Sequence, residues 1–171
     1  NPNNPTASAI SRKDMRKILD AALQFGIAVM VDETYAEFAP DDRKISSIPL
    51  TNNYNNLIVL RGISKFFAAP GLRLGYAVTE TLIFEYINTK NEPLDDQQPG
   101  RDCGLYHVLR QEYIEKTRTL ITTERERLLK ILSAWDTVKV YPSCTNFILM
   151  KILKEDVTSD MLFDCWQVRK D

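Results

Sequence analysis

Apolar residues recur at two different spacings along this chain, and the spacing changes with position. Met15, Ile18, Leu19, Ala22 and Leu23 fall at the three- and four-residue intervals of a helix with one apolar face. Ser11 stands where an N-cap is expected, Asp14 follows three residues later as its capping partner, and Gly26 supplies a stop. Three short runs, "IAVMVD" (27–32), "NLIVLRG" (56–62) and "LGYAVT" (74–79), are apolar nearly throughout and predict buried strands. Strands of this kind alternating with helices predict a parallel sheet covered on both faces.

The second half has a different rhythm. "ETLIFEYI" (80–87) predicts a short helix, and "NEPLDDQQPG" (91–100) has the composition of a connector. From about Cys103 to Trp135, Leu105, Val108, Leu109, Leu120, Ile121, Leu128, Ile131 and Leu132 predict a long helix, with "TTERER" (122–127) facing solvent. "TVKVYPS" (137–143) and "TNFILMKI" (145–152) predict two strands joined by a turn, and "TSDMLFDCWQ" (158–167) a final helix. The expected fold class is α/β, with one unit over residues 1–100, a connecting helix over 101–135 and the start of a second unit over 136–171. The opening "NPNNPTAS" carries no initiator methionine, and "FDCWQVRKD" closes directly on an apolar-periodic segment. Both ends read as cut, and the chain is expected to be part of a longer protein.

Composition narrows the classes. With 171 residues, 44% apolar and 26% charged, the chain can bury a sizeable core and is not disordered in character. A net charge of −1, from 22 basic and 23 acidic residues, gives no bulk attraction to nucleic acid or to a membrane surface. Cys103, Cys144 and Cys165 are far apart and lack CxxC spacing, and His107 is the single histidine. No metal site is expected, and a reducing cytoplasm fits best. No apolar run approaches the roughly 20 residues needed to cross a bilayer.

Polar residues stand at the ends of the predicted strands or in the loops beside them, where open α/β sheets place ligands. They are Asn4, the pair Asp32 and Tyr35 in "VDETY", Lys65, and Arg73. Singly, each has an ordinary explanation: a turn former, a helix cap, a core ring with a wet hydroxyl, a solvated loop. Together they make a different set. A lysine that performs chemistry needs a partly deprotonated amine, and a neighbouring cation or desolvation favours that form. An arginine grips a phosphate bidentately. An aspartate opposite a ring nitrogen favours its protonated form. Amine, carboxylate, guanidinium, phenol and amide match the needs of pyridoxal 5′-phosphate.

"NPNNPT" (1–6), "VDETYAEF" (31–38) and "SKFFAAPGLRLGY" (64–76) stand in that order, and "EYIEKTR…ERERL…VYPSCTNF" extends the likeness over nearly the whole chain. In these segments the chain resembles the class I/II pyridoxal-phosphate-dependent aminotransferases of fold type I. The branch is that of histidinol-phosphate aminotransferase and threonine-phosphate decarboxylase. The resemblance implies the C-terminal half of a large, cofactor-binding domain, with a mainly parallel sheet and flanking helices, and then the start of an α+β small domain. It implies that Lys65 carries the cofactor's aldehyde carbon and moves the substrate's α-proton, and that Asp32 pairs with the pyridine nitrogen. Asn4 and Tyr35 would hydrogen-bond the ring 3′-oxygen, and Arg73, helped by Ser64, would bind the phosphate. Asn146 in "SCTNF" would lie near the site. Gly71 and Gly75 would let the backbone turn beside the ligand.

Some positions depart from the family pattern. Ala7 replaces a usual glycine, which is expected to need only a small backbone adjustment. Gly62 stands where relatives carry a serine or threonine, so one phosphate contact, worth about 1.5–3 kcal/mol, is expected to be missing. The family's N-terminal part, with its glycine-rich phosphate turn, ring-stacking aromatic and cross-dimer tyrosine, is not in this chain. Its C-terminal substrate-binding arginine is not found either, Arg169 coming too early. The intact enzyme is expected to be a cytoplasmic homodimer that moves an amino group between an amino acid or amino-phosphate and a 2-oxo acid, and the 171 residues alone to be inactive. Decarboxylation of an amino-acid phosphate is a second reading, towards which "FFAAPGLRLGY" leans. A non-catalytic module of the same fold is a third, against which the presence of Asn4, Asp32, Tyr35, Lys65 and Arg73 counts.

Overall fold

The computed structural model describes residues 1–90 and 111–167. Helix α1 (Arg12–Gln24) opens as its capping pattern requires: the Asp14 N–H donates to Ser11 Oγ at 3.1 Å, and the Ser11 hydroxyl donates to Asp14 Oδ2 at 2.7 Å. It closes in a Schellman turn. The Ile27 N–H reaches Ala22 O at 2.9 Å, the Gly26 N–H reaches Leu23 O at 3.1 Å, and Gly26 takes φ +64°.

Strand β1 (Val29–Asp32) pairs parallel with β2 (Leu57–Gly62), Asp32 lying opposite Leu60. Between them run two 3₁₀ turns (Ala36–Phe38 and Ile48–Leu50) and the short helix α2 (Asp42–Ile45). Strand β3 (Gly75–Thr79) pairs with β2 antiparallel, with Gly62 opposite Gly75. The sheet, ordered β1-β2-β3, is therefore mixed and not wholly parallel. Residues 63–74 hold only a 3₁₀ turn at Pro70–Leu72, and without a crossover helix the chain returns beside β2 in the opposite direction.

One sheet face is covered. Met15 and Leu19 of α1 pack with Val31, Leu50, Leu57 and Val59, each large side chain contributing about 1.5–3 kcal/mol by leaving water. Side chains alternate along a strand, so Met30 points the other way and is 63% exposed. Cover on both faces, as the apolar runs predict, is not found among the described residues. A second cluster, Phe38, Ile63, Phe66 and Phe67, forms beyond the strand ends, and Ile114 and Ile121 of α4 (Gln111–Ser133) pack on it.

Helix α3 (Thr81–Lys90) follows β3. Strands β4 (Val138–Val140) and β5 (Met150–Ile152) form an antiparallel pair, and helix α5 (Ser159–Gln167) comes last. The second strand of this pair is shorter than "TNFILMKI" predicts. Residues 143–147 bond to themselves instead: Ser143 Oγ donates to Phe147 O at 2.6 Å, and the Thr145 N–H donates to Ser143 Oγ at 3.1 Å. The expected connector over 91–100 and the start of the long helix at 103–110, with Leu105, His107, Val108 and Leu109, lie outside the described residues, as does Arg169. No helix among the described residues is long and apolar enough to cross a membrane.

Candidate functional site

Parallel strands finish at the same sheet edge, so β1 and β2 deliver the segments that follow them to one side. Asp32 ends β1. Its Oδ1 accepts from the Thr34 N–H at 2.8 Å and from the Thr34 hydroxyl, which fixes the carboxylate while leaving the residue exposed. Tyr35 opens the 3₁₀ turn, and its phenol oxygen accepts from Asn4 Nδ2 at 3.4 Å. Its ring meets Phe147 edge-on, with centroids 5.2 Å apart. Asn4, Asp32 and Tyr35 line one cleft of ≈670 Å³, whose walls include Ile18 and Met30.

The turn that carries Asn4 is closed by the Asn3 N–H to Ser8 O at 2.8 Å and the Ala7 N–H to Asn3 O at 2.9 Å. Ala7 is fully buried at φ +58°. A left-handed alanine is strained by roughly 1–2 kcal/mol. The alanine-for-glycine change is therefore more than a small adjustment.

Lys65 follows β2 with buried neighbours: Ile63, Phe66 and Phe67 are at most 7% exposed. The Tyr113 hydroxyl donates to Phe66 O at 3.1 Å, and the Ala68 N–H donates to Lys65 O at 3.2 Å. The backbone at Lys65 is thus anchored while its side chain faces solvent. An Ile63 N–H bond to Leu74 O at 3.3 Å closes the loop, so Ser64 and Lys65 leave one stem and Arg73 the other. Lys65, Ser64 and Arg73 share this loop but do not line the cleft of Asn4, Asp32 and Tyr35. The left-handed positions in the loop are Ala68 and Arg73, and not the glycines. A Cβ on Gly71 would meet nothing, so Gly71 is not required for a tight turn. One on Gly75 would lie 2.9 Å from Arg61 O, so Gly75 answers to the close approach of two strands rather than to a ligand.

Beneath the site lies a buried ion network that the sequence reading did not single out. Arg61 Nε and Nη2 donate to Glu33 Oε2 at 3.0 and 2.8 Å, and Nη1 donates to Glu37 Oε1. Ser46 Oγ accepts from Arg61 Nη2 at 3.1 Å and donates to Glu33 Oε2 at 2.9 Å, while the Ser47 N–H donates to Glu33 Oε1. Burial works against the Arg61 charge, but Glu37 and Glu33 outweigh it and raise its pKa. Burial also lifts the Glu37 carboxyl above its usual range, against the pull of Arg61, and Glu37 Oε2 is buried without a hydrogen-bond partner among the described residues. A signal existed: Arg61 alternates in phase with Leu57 and Val59, the inward side of β2.

The run "TTERER" does not face solvent throughout. Arg125 is only 5% exposed, because it continues the inward stripe of Ile114 and Ile121 at helical spacing. Arg118 lies on that stripe too, and its Nε donates to Glu37 O at 3.1 Å. Asn146 lines a small cavity of ≈210 Å³ with Arg125 and Phe147, and none of that cavity's lining residues lines the Asp32 cleft.

The family model of aminotransferase class I and II matches residues 1–168. Histidinol-phosphate aminotransferase 2 of Archaeoglobus fulgidus is 39% identical over 160 residues, which are 94% of this chain and 44% of that protein. The structure of the histidinol-phosphate aminotransferase from Clostridium acetobutylicum matches with a TM-score of 0.91 at 27% identity, over 99% of this chain and 51% of that one. A decarboxylase from Sulfurospirillum multivorans gives a TM-score of 0.83 at 27% identity, over 99% and 44%. The chain spans about half or less of the length of these relatives. A family match over nearly every residue, on an α/β fold that agrees this closely, leaves one conclusion: the chain belongs to the class I and II aminotransferases.

Proposed function

We propose that this chain is a cofactor-binding portion of a pyridoxal-phosphate-dependent aminotransferase of the histidinol-phosphate type. The observation that carries the reading is the convergence of Asp32 with the Asn4–Tyr35 pair on one cleft, while Lys65 follows the adjacent parallel strand. The donor set fits the cofactor. A fixed carboxylate suits its ring nitrogen, a phenol and an amide its ring oxygen, an amine its aldehyde and a guanidinium its phosphate. Pyridoxal phosphate, when bound, supplies an electron sink for carbanion chemistry at an amino acid's α-carbon.

In this reading Asp32, held by Thr34, keeps a proton on the ring nitrogen. Asn4 and Tyr35 hydrogen-bond the ring oxygen, and Arg73 with Ser64 binds the phosphate. Lys65 would hold the cofactor's aldehyde carbon and, once the substrate's amino group has displaced it, its freed amine would remove and return the proton at the substrate's α-carbon. The substrates are an amino acid or amino-phosphate and a 2-oxo acid, and the whole enzyme is a cytoplasmic homodimer. Residues 1–100 belong to the cofactor-binding domain, 101–135 to a connecting helix and 136–171 to the start of the small domain. The decarboxylase among the matching structures favours one alternative, loss of CO₂ from an amino-acid phosphate. Product analysis on the protein of full family length separates the two.

The test on the chain itself is to incubate it with pyridoxal phosphate, reduce with borohydride and map the modified lysine by peptide mass. Selective modification of Lys65 is expected. Selective modification of a different lysine would overturn the assignment of Lys65, and labelling spread over all lysines, or none, would overturn the reading of this chain as cofactor-binding on its own.

A further inference from the structure

Arg125 is a buried guanidinium whose hydrogen bonds go to neutral oxygens. Nη1 donates to Phe38 O at 3.1 Å and Thr145 O at 2.8 Å, and Nη2 donates to Thr122 Oγ1 at 3.3 Å. Taking a cation out of water is costly, and these charge-assisted bonds offset the cost. A leucine at the same place would satisfy the helix stripe without that cost. What distinguishes Arg125 is where its two carbonyls come from.

Phe38 ends the 3₁₀ turn that Tyr35 opens. Thr145 lies two residues before Phe147, whose ring stands edge-on to Tyr35 at an interplanar angle of 87°. Arg125 therefore joins the two segments that hold the Tyr35 ring and closes a circuit from Tyr35 through Phe38, Arg125, Thr145 and Phe147 back to Tyr35. The segment on the far side is stiff in itself, since the Phe147 N–H donates to Thr145 Oγ1 at 3.3 Å and Phe147 O accepts from Ser143 Oγ. The same segment also reaches the Asn4 turn, where the Cys144 N–H donates to Ala7 O at 3.1 Å. The turn that carries Asn4 and the ring of Tyr35 are thus both held by residues 143–147, and Arg125 grips the middle of that segment.

We propose that Arg125 is a positioning residue that fixes the Tyr35 phenol against Asn4 and so makes helix α4 and the 143–147 segment part of the machinery that orients the candidate site. The proposal rests on the reading of Tyr35 given under Proposed function for its link to pyridoxal phosphate, but not for its geometry.

The experiment uses the 171-residue chain labelled with ¹³C at tyrosine Cζ, the Tyr35 signal being assigned by loss in Tyr35→Phe. Arg125→Met, Arg125→Lys and Phe147→Leu are compared with Leu19→Ala, which damages the separate core under α1. Arg125→Met and Phe147→Leu are expected to move or broaden the Tyr35 signal and to weaken pyridoxal phosphate binding about tenfold, the scale of one lost oriented hydrogen bond. Arg125→Lys, which keeps the charge but not the fork, is expected to fall between these and the parent. Leu19→Ala is expected to lower stability and leave the Tyr35 signal in place. If Arg125→Met does not fold, Arg125→Lys and Phe147→Leu decide the matter. An unmoved Tyr35 signal in these folded variants, or an equal movement in Leu19→Ala, would overturn the proposal. A Tyr35 signal that responds in a chain that binds no cofactor would support the positioning role and overturn the reading of this chain as cofactor-binding on its own.

Discussion

Arg61 Nη2 lies 2.8 Å from Glu33 Oε2, and both partners are out of water, with side-chain exposures of 6% and 0%. Glu33 follows Asp32 and Arg61 precedes Gly62, so the pair ties together the two strand ends from which the candidate site springs. Removing one partner leaves an uncompensated buried charge. Arg61→Met is expected to destabilise the chain by about 3–5 kcal/mol. The shift in urea midpoint measures it, and a loss well under that range would mean that the β1–β2 ladder holds the strand ends unaided.

Glu37 gives the network a pH dependence. Burial raises its folded-state pKa, and Arg61 opposes that rise only in part. The folded chain therefore binds the Glu37 proton more tightly than the unfolded chain does. The stability from this group is fully present below the ordinary carboxylate pKa and is lost as pH rises through the raised folded value. Glu37→Gln keeps a neutral side chain at every pH. The stability of the parent relative to this variant is expected to fall as pH rises through that window, measured by denaturant titration on both sides of it. A flat difference would show that Arg61 fully compensates the buried charge.

Two glycines facing each other across β2 and β3 are expected to respond in opposite ways. A Cβ on Gly62 would lie 3.7 Å from Thr34 Oγ1 and 3.9 Å from Ser64 Oγ, ordinary contact distances. Gly62→Ser is expected to stabilise the chain by about 0.5–1 kcal/mol through reduced unfolded-state freedom. A Cβ on Gly75 would strike the Arg61 carbonyl, and Gly75→Ala is expected to cost about 1–3 kcal/mol. Thermal unfolding of the two variants side by side tests both signs.

Ala7 at φ +58° and Arg73 at φ +49° hold backbone conformations that glycine adopts without strain. Ala7→Gly and Arg73→Gly are each expected to raise stability by about 0.5–1 kcal/mol. The two differ in the borohydride experiment. Arg73→Gly is expected to lose selective modification of Lys65 by pyridoxal phosphate and Ala7→Gly to retain it. Retained labelling in Arg73→Gly would remove Arg73 from the phosphate site.

Helix α1 was readable to the residue because its start and stop are local: Ser11 and Asp14 bond each other, and Gly26 takes the left-handed turn. The direction of β3 was not, since it depends on residues 63–74 holding no crossover helix, which an apolar run does not reveal. The cleft shared by Asn4, Asp32 and Tyr35 followed from their places at the ends of strands or in turns, and so did the loop that holds Lys65 and Arg73. The supporting charges stayed hidden for one reason. Composition sorts Arg61, Glu33, Glu37 and Arg125 to the surface, whereas their phase along β2 or α4, or their contacts across the fold, put them inside. Phase outranks residue type wherever a charge sits on an otherwise apolar stripe.

The reach of α4 sets an order of events during synthesis. Its bonds to the Tyr35–Phe38 turn join residues far apart in sequence, Arg118 to Glu37 across 81 positions and Arg125 to Phe38 across 87. At about 5–20 residues per second, a ribosome needs roughly 4–17 s to travel from Phe38 to Arg125. Through that interval the Glu37 and Phe38 carbonyls are without their arginine partners on α4. The turn's final shape waits for a helix that has not yet been made.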